Sequence, residues 1–399
     1  HANLRRHLDA FDVRWEPVGL ESLVPFFRLV YLDASREIPL KRRLNAALQE
    51  MLPDLTPAEP DGNRVAVVSA FWRPTSVVYR SCRDFVAALG GAYRLTLVDL
   101  SPPDEASETE LFDDVVRFCL ADGSADAEAL GRAGFSAALF TDAGMSKESI
   151  YLSNMRIAPV QAGCYGQPVS TRGSRVDYFI GGGDVELPGK ACENYSERLV
   201  LIPGLAVSPV VPEPPAGPVG KDSDVVRVNC PWMSLKANAP LVEALRTIRD
   251  RAAGKVVFQF TAVLANRYAW RVYRDDLVAA LGAEHVELLA SLTPGEYLRA
   301  VGRCDVTFDS YPFGGYNTIV DSLVCRVPVV AWEGEAFFNR AAGQILRRVG
   351  LEAWAAGSRA EYVDRAVTLI DDAGLRARIA GELDGMDIRG RLYDPAEAG

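Results

Sequence analysis

The chain alternates short apolar, β-branched runs with segments of helical spacing, and it does so twice, on either side of a proline- and glycine-rich stretch. In the first half the runs are Arg64–Ala70, Tyr93–Leu100, Ser136–Phe140, Val160–Cys164 and Tyr178–Ile180. In the second they are Val225–Val228, Val256–Phe260, Val286–Leu289, Val306–Phe308 and Val327–Ala331. Short, continuously apolar runs fit strands buried on both faces, and helices between them supply the crossovers that parallel pairing requires. Pro240–Ala252 and Tyr268–Leu281 carry such helical spacing. Between the halves, Pro203–Asp224 holds five further prolines from Pro209 to Pro218 and no periodicity, so it reads as a linker. A length of 399 residues exceeds what one core ordinarily serves. The expected fold class is therefore α/β, with two Rossmann-like domains facing a central cleft. The expected boundaries are a helical segment at 1–60, a first domain at 61–205, a linker at 206–224, and a second domain with C-terminal helices at 225–399.

The charge balance narrows the partners. A net charge of −10 argues against a nucleic-acid backbone or an anionic membrane as the main partner, while leaving room for a local basic pocket. No run is long and apolar enough to span a bilayer, and the first residues lack a signal-peptide pattern. The apolar patch Leu23–Leu32 is interrupted by Pro25 and Arg28 and reads as a buried helix. Seven cysteines are scattered without a CxxC pair, and several sit in apolar runs such as Val116–Leu120. They read as reduced core residues of a cytoplasmic protein rather than a disulfide or zinc framework. The chain begins at His1 rather than methionine, which suggests a trimmed chain preceded by a further N-terminal module.

One stretch carries most of the functional signal: Asp305 to Asp321, a short buried run, the pair Gly314–Gly315, and a helix start. The glycines let backbone approach a ligand, and Asn317 or Thr318 is placed to cap the helix that follows. The amide end of that helix then faces the turn, a ready phosphate site. Asp321 falls one helical turn past Asn317 on the same face, where a carboxylate can hold ribose hydroxyls. Ligands in open α/β sheets sit at the carboxyl ends of strands, which is where this turn lies. A plain βα turn has the same pattern.

The run Glu296-Tyr297-Leu298-Arg299, Cys304-Asp305, Pro312-Phe313-Gly314, Asn317, Ile319-Val320-Asp321 and Pro328-Val329-Val330 resembles glycosyltransferase family 41. That family holds protein O-GlcNAc transferase and the bacterial cytoplasmic protein N-glycosyltransferases. Gly334-Glu335, Arg340, Gly350-Leu351 and Glu361-Tyr362 continue the likeness. In the first half it is carried by Val78-Tyr79-Arg80, Arg156 to Gln161, Gly166, Pro168, Asp177-Tyr178 and Tyr195 to Leu199. These blocks run in order over roughly residues 64 to 385, which one chance motif would not do.

The resemblance implies a GT-B fold and an inverting, metal-independent transfer of a hexose from a UDP-sugar to Asn or Ser/Thr of a protein. No cofactor is implied beyond the UDP-sugar co-substrate. Lys236 matches the family's lysine on the donor diphosphate, where an ammonium offsets charge building on the leaving group. Tyr316, Asn317 and Thr318 fall on its phosphate-contacting positions, beside Gly314 and Gly315, and Asp321 on its ribose-binding aspartate. Gly166 and the loop from Gln167 through Thr171 to Gly173 match a first-half loop lining the cleft. Gln161, just before it, is a further cleft candidate and equally a satisfied core glutamine.

The family's reaction-centre histidines are absent, since only His1, His7 and His285 occur. Arg73 and Arg172 stand at two of those positions. An arginine cannot serve as a base at neutral pH, though it can bind a diphosphate or an acidic donor or acceptor. Gln167, Arg172 and Arg73 therefore remain candidates with no assigned base. The alternatives are a non-catalytic relative that binds a nucleotide-sugar or a partner protein, and a nucleotide-sugar epimerase.

Overall fold

This computed structural model describes residues 26, 29–31, 34–120, 123–208, 211–215, 220, 224–261, 267–290 and 292–394. The expected helical character of residues 1–25 lies outside them, as do parts of the 206–224 linker. Of the Leu23–Leu32 patch, Phe26 is buried and Leu29–Tyr31 forms a 3-10 turn.

The first helix, α1 (Ala34–Met51), places Leu40, Leu44 and Leu48 on one buried stripe against the first sheet's core. That sheet has seven strands: β1 (Arg64–Ser69), β2 (Arg94–Asp99), β3 (Asp114–Arg117), β4 (Ala137–Phe140), β5 (Val160–Gly163), β6 (Tyr178–Gly182) and β7 (Arg198–Ile202). Their spatial order is β3-β2-β1-β4-β5-β6-β7, and every pair is parallel. Successive residues of β1 serve opposite cores. Ala66 and Val68 pack on one face, Val65 and Val67 on the other. This is why the strand is apolar throughout rather than alternating. The crossovers include α2 (Val77–Leu89), α3 (Ala127–Gly131) and α4 (Lys147–Ser153). Ser76 starts α2 by accepting from the Tyr79 amide at 3.0 Å.

The second sheet is formed by β8 (Val226–Cys230), β9 (Val256–Thr261), β10 (Val286–Leu289), β11 (Val306–Phe308), β12 (Val329–Trp332) and β13 (Ala355–Ala356). Its order is β10-β9-β8-β11-β12-β13, again parallel in every pair. Helices α5 (Ala239–Arg251), α6 (Arg267–Leu281), α7 (Pro294–Gly302), α8 (Asn317–Val324), α9 (Phe337–Arg348) and α10 (Arg359–Asp371) connect and cover it, followed by α11 (Ala373–Leu383) and α12 (Ile388–Leu392). Both sheets are doubly wound, with strand order reversing beside β1 and β4 in one and beside β8 and β11 in the other. Such a reversal opens a crevice at the carboxyl ends of the strands.

The two lobes touch along one side. Tyr165 packs on Tyr316 and Phe337, with ring centroids 5.3 and 5.0 Å apart. Arg348 meets Asp184 at 2.7 Å, and Arg389 of α12 reaches back to Asp84 at 2.8 Å. No helix among the described residues is long and apolar enough to cross a membrane.

Candidate active site

At the second sheet's reversal point, the segments leaving β8 and β11 are tied together. Trp232 donates from its indole to the Phe308 carbonyl at 2.8 Å. Asn238 caps α5, its side-chain oxygen accepting from the Leu241 amide at 3.1 Å, while its amide group donates to the Tyr311 carbonyl at 2.5 Å. Between these ties, Lys236 extends to the glycine turn. Its Nζ donates to the Gly314 carbonyl at 2.9 Å and lies 5.1 Å from the centre of the Phe313 ring.

The turn itself is folded around Asp309, which accepts from the Gly315 amide at 2.7 Å. A Cβ at Gly314 would come within 2.9 Å of the Asp309 carboxylate, and one at Gly315 within 2.4 Å of Thr318 Oγ1. The glycines are thus demanded by the protein's own carboxylate and hydroxyl.

Helix α8 starts differently from the sequence expectation. Neither Asn317 nor Thr318 caps it; Tyr316 occupies the N-cap position, and no side chain caps the helix. The side-chain nitrogen and oxygen of Asn317 are both buried without a hydrogen-bond partner, in a residue only 6% exposed, and the Tyr316 hydroxyl is likewise unpartnered. Buried polar atoms of this kind are uncommon, and several together beside an uncapped helix start form a cradle that a polar ligand would complete. Asp321, one turn along, is met across the cleft by Arg80 of α2 at 2.9 Å.

The electrostatics follow from burial. Desolvation lowers the Lys236 pKa to about 8, with the Asp309 charge opposing the shift. Desolvation raises Asp309 to about 7, opposed by Lys236 and by the amides of Gly315 and Ser310. Burial also raises Asp321, against the pull of Arg80. The site therefore offers one ammonium, an uncapped helix start and a carboxylate whose charge is readily given up. An incoming anion fits that balance.

The first-lobe candidates divide. Gln161 is fully satisfied by backbone: its oxygen accepts from Ile157 at 2.9 Å, and its nitrogen donates to Met155 at 3.0 Å and Arg175 at 2.9 Å. It braces the core. Gly166 is also structural, since a Cβ there would sit 1.9 Å from the Thr141 carbonyl. Gln167 is buried. Thr171 gives both its amide, at 2.7 Å, and its hydroxyl to the Glu197 carboxylate. Arg73 is paired with Glu105 at 2.5 Å. Arg172 lines a cavity of about 760 Å³ between the lobes, together with Asn194, Tyr311, Trp332, Phe338 and Arg340. Tyr311 and Trp332 stack there, ring centroids 4.1 Å apart.

Sequence reasoning missed Asp309, Glu197 and the Arg80–Asp321 pair. A signal for Asp309 was present: a carboxylate directly after a buried strand, six residues before Gly315. Glu197 and Arg80 lay within quoted blocks, but nothing local says which carboxylate or loop they meet.

No protein-family profile matches the chain. It is 30% identical over 234 residues to the UDP-glucose:protein N-beta-glucosyltransferase of Actinobacillus pleuropneumoniae serotype 7 (strain AP76), covering 57% of this chain and 37% of that protein. Over 248 residues it is 26% identical to the probable UDP-N-acetylglucosamine--peptide N-acetylglucosaminyltransferase SPINDLY of Solanum lycopersicum, covering 61% of this chain and 26% of that one. The chain thus spans well under half the length of these curated relatives. In fold it is similar to a mutant of Thermobaculum terrenum O-GlcNAc transferase, with a TM-score of 0.76 at 22% identity over 96% of this chain and 76% of that one. Anabaena Alr3699/HepE, solved with UDP and glucose, gives a TM-score of 0.52 at 13% identity over 84% of this chain and 97% of that one. These likenesses give the chain a GT-B fold, and its sequence is similar to that of protein glycosyltransferases.

Proposed function

We infer that the chain is an inverting glycosyltransferase that moves a hexose from a UDP-sugar to an Asn or Ser/Thr side chain of a protein. The observation that carries this reading is the cradle at the carboxyl ends of β8 and β11: the Lys236 ammonium, the uncapped start of α8 and the orphaned Asn317 amide. In this reading the diphosphate lies between Lys236 and the α8 amides, and Asp321 takes the ribose hydroxyls beside Arg80. As the acceptor attacks the anomeric carbon, the carbon–oxygen bond to the β-phosphate breaks, its electron pair leaves with UDP, and the acceptor's proton is released to solvent. Lys236 and the helix amides stabilise that charge, so the reading is metal-independent and needs no cofactor. The acceptor enters from the first lobe, across the cavity lined by Arg172 and Asn194. A cytoplasmic location is supported by cysteines that are all free, four of them buried.

Incubation with radiolabelled UDP-glucose or UDP-N-acetylglucosamine and unfolded acceptor proteins tests the transfer. Label appearing on protein, and lost in Lys236→Ala, is the expected result. Absence of both protein labelling and calorimetric UDP binding removes the reading. A non-catalytic nucleotide-sugar binder is a second reading, favoured by Arg73 being engaged with Glu105 where the family carries a histidine. Slow UDP-sugar hydrolysis that disappears in Lys236→Ala argues against it.

A further inference from the structure

The loop after β5 carries a cation that the transfer step above does not use. Arg172 has a φ of 58°, in the left-handed region that non-glycine residues rarely occupy. Helix α1 holds it there through a second stripe, Lys41, Asn45 and Gln49, adjacent to its apolar one. Lys41 Nζ donates to the Ser170 carbonyl at 3.1 Å. The Asn45 amide group donates to the Thr171 carbonyl at 2.7 Å and the Arg172 carbonyl at 3.1 Å, and Gln49 donates to the Gly173 carbonyl at 2.9 Å. Four consecutive carbonyls are thus read by one helix. From the other side, Glu197 accepts from Ser170 Oγ and the Thr171 amide, both at 2.7 Å, and Ser170 Oγ accepts from the Arg172 amide at 3.0 Å. A backbone conformation over-determined in this way persists at functional sites.

The side chain so positioned lines the interlobe cavity and is 8% exposed, yet its Nε is buried without a hydrogen-bond partner. Among the described residues no carboxylate forms an ion pair with its guanidinium. The acids bordering the cavity are engaged elsewhere. Glu333 is held by Arg340 at 3.3 Å and Arg347 at 2.7 Å, and Glu335 by Lys190 at 3.3 Å. A buried guanidinium lacking a counter-charge is costly, and an oxyanion presented to its fork removes that cost.

We propose that Arg172 is an anion-recognition point of the cavity, receiving a phosphoryl or carboxylate group of the bound substrate. The proposal rests on the nucleotide-sugar reading of the cleft. The oxyanion comes either from the donor's diphosphate or from a carboxylate on a transferred uronic acid, and both present the planar or tetrahedral oxygens a guanidinium fork takes.

Calorimetric titration of UDP, UDP-glucose, UDP-glucuronate and inorganic pyrophosphate into the wild type, Arg172→Asn and Arg172→Lys tests this. Asparagine tolerates the left-handed backbone, so Arg172→Asn keeps the fold, which matching melting curves verify. The expected result is a roughly ten- to hundredfold weaker affinity in Arg172→Asn for the ligand bearing the recognised oxyanion, with partial recovery in Arg172→Lys. Weakening of all three nucleotides assigns the phosphoryl group; weakening of UDP-glucuronate alone assigns the sugar carboxylate. Affinities equal within about twofold for every ligand overturn the proposal and leave the nucleotide reading standing. Pyrophosphate bound through Arg172 without any nucleotide binding retains the proposal and removes that reading. A wild type that binds none of the four overturns both.

Discussion

Lys236 and Asp309 lie close enough that each shifts the other, and this makes the site's behaviour pH-dependent in two separable ways. The amine, lowered to about 8, must be protonated to hold a diphosphate. UDP affinity should therefore be flat below about pH 7.5 and weaken by up to about tenfold per unit above about pH 8. Calorimetry from roughly pH 6.5 to roughly pH 9.5 checks this; an affinity that stays level throughout, or the same slope in Lys236→Ala, sinks it. For Asp309 the sign is opposite to that of an ordinary paired carboxylate. Its pKa is raised from 3.8 to about 7 in the folded protein, so the folded state binds more protons than the unfolded chain between those values. Stability from this group is complete below about pH 4 and is lost as pH rises through about 7. Asp309→Asn keeps an acceptor for the Gly315 amide and removes the titration. The variant's unfolding free energy should decline less from about pH 5 to about pH 7, by up to roughly 1.4 kcal/mol per unit. Chemical denaturation at several pH values decides it, and parallel curves for the two proteins would contradict the assignment. Asp309 is readable in the sequence as a carboxylate at a strand end. Its partner is not, because Lys236 is distant along the chain and only the sheet brings the two together.

Among the elements, α1 acts as a clamp as well as a cover. Asn45 donates to two loop carbonyls and accepts from Asn154 at 2.9 Å, so Asn45→Ala removes a hub rather than one bond. The loss should be about 2–3 kcal/mol in urea unfolding, since buried acceptors are left unsatisfied. A change under about 0.5 kcal/mol would mean the loop holds itself. The contrast between α1 and the strands marks what is local in this sequence. Val286–Leu289 and Val306–Phe308 appear as strands at the expected residues, and most others within one or two positions. Val306–Phe308 is buried on both faces, which leaves few alternatives, whereas Val286–Leu289 is a half-exposed edge strand that its apolar residues alone make readable. Strands β3 and β7 do not stand out, being half-exposed edge strands with charged or exposed residues in the run. The apolar stripe of α1 is readable at helical spacing. Its polar stripe is not, because Lys41, Asn45 and Gln49 look like an ordinary solvated face until a loop distant along the chain packs on it. The missing cap of α8 has the same origin. Asn317 is a good capping residue by propensity, and the turn around Asp309 places it inside the helix instead.

Across the whole molecule, the lobes are joined by contacts of unequal weight. Arg348–Asp184, Lys190–Glu335 and Arg389–Asp84 each have at least one half-exposed partner, and such pairs contribute little in water. Arg80–Asp321 differs. The Asp321 side chain is 6% exposed and burial already raises its pKa, so among the described residues its carboxylate depends on Arg80 reaching it from the other lobe. That pair couples lobe closure to the residue proposed to hold ribose. Arg80→Ala leaves a buried carboxylate uncompensated and should cost about 2–3 kcal/mol, whereas Asp321→Asn removes the charge together with the need for a partner. The double variant should then lose little beyond Asp321→Asn alone, a coupling of at least about 1 kcal/mol in a double-mutant cycle on urea unfolding. Surface pairs of similar length would give a few tenths and vanish in about 1 M salt, while this coupling should survive it. Additive single effects, or a coupling abolished by salt, would show that this pair does not join the lobes. Asp321 would then be free to serve the nucleotide without reference to the first lobe.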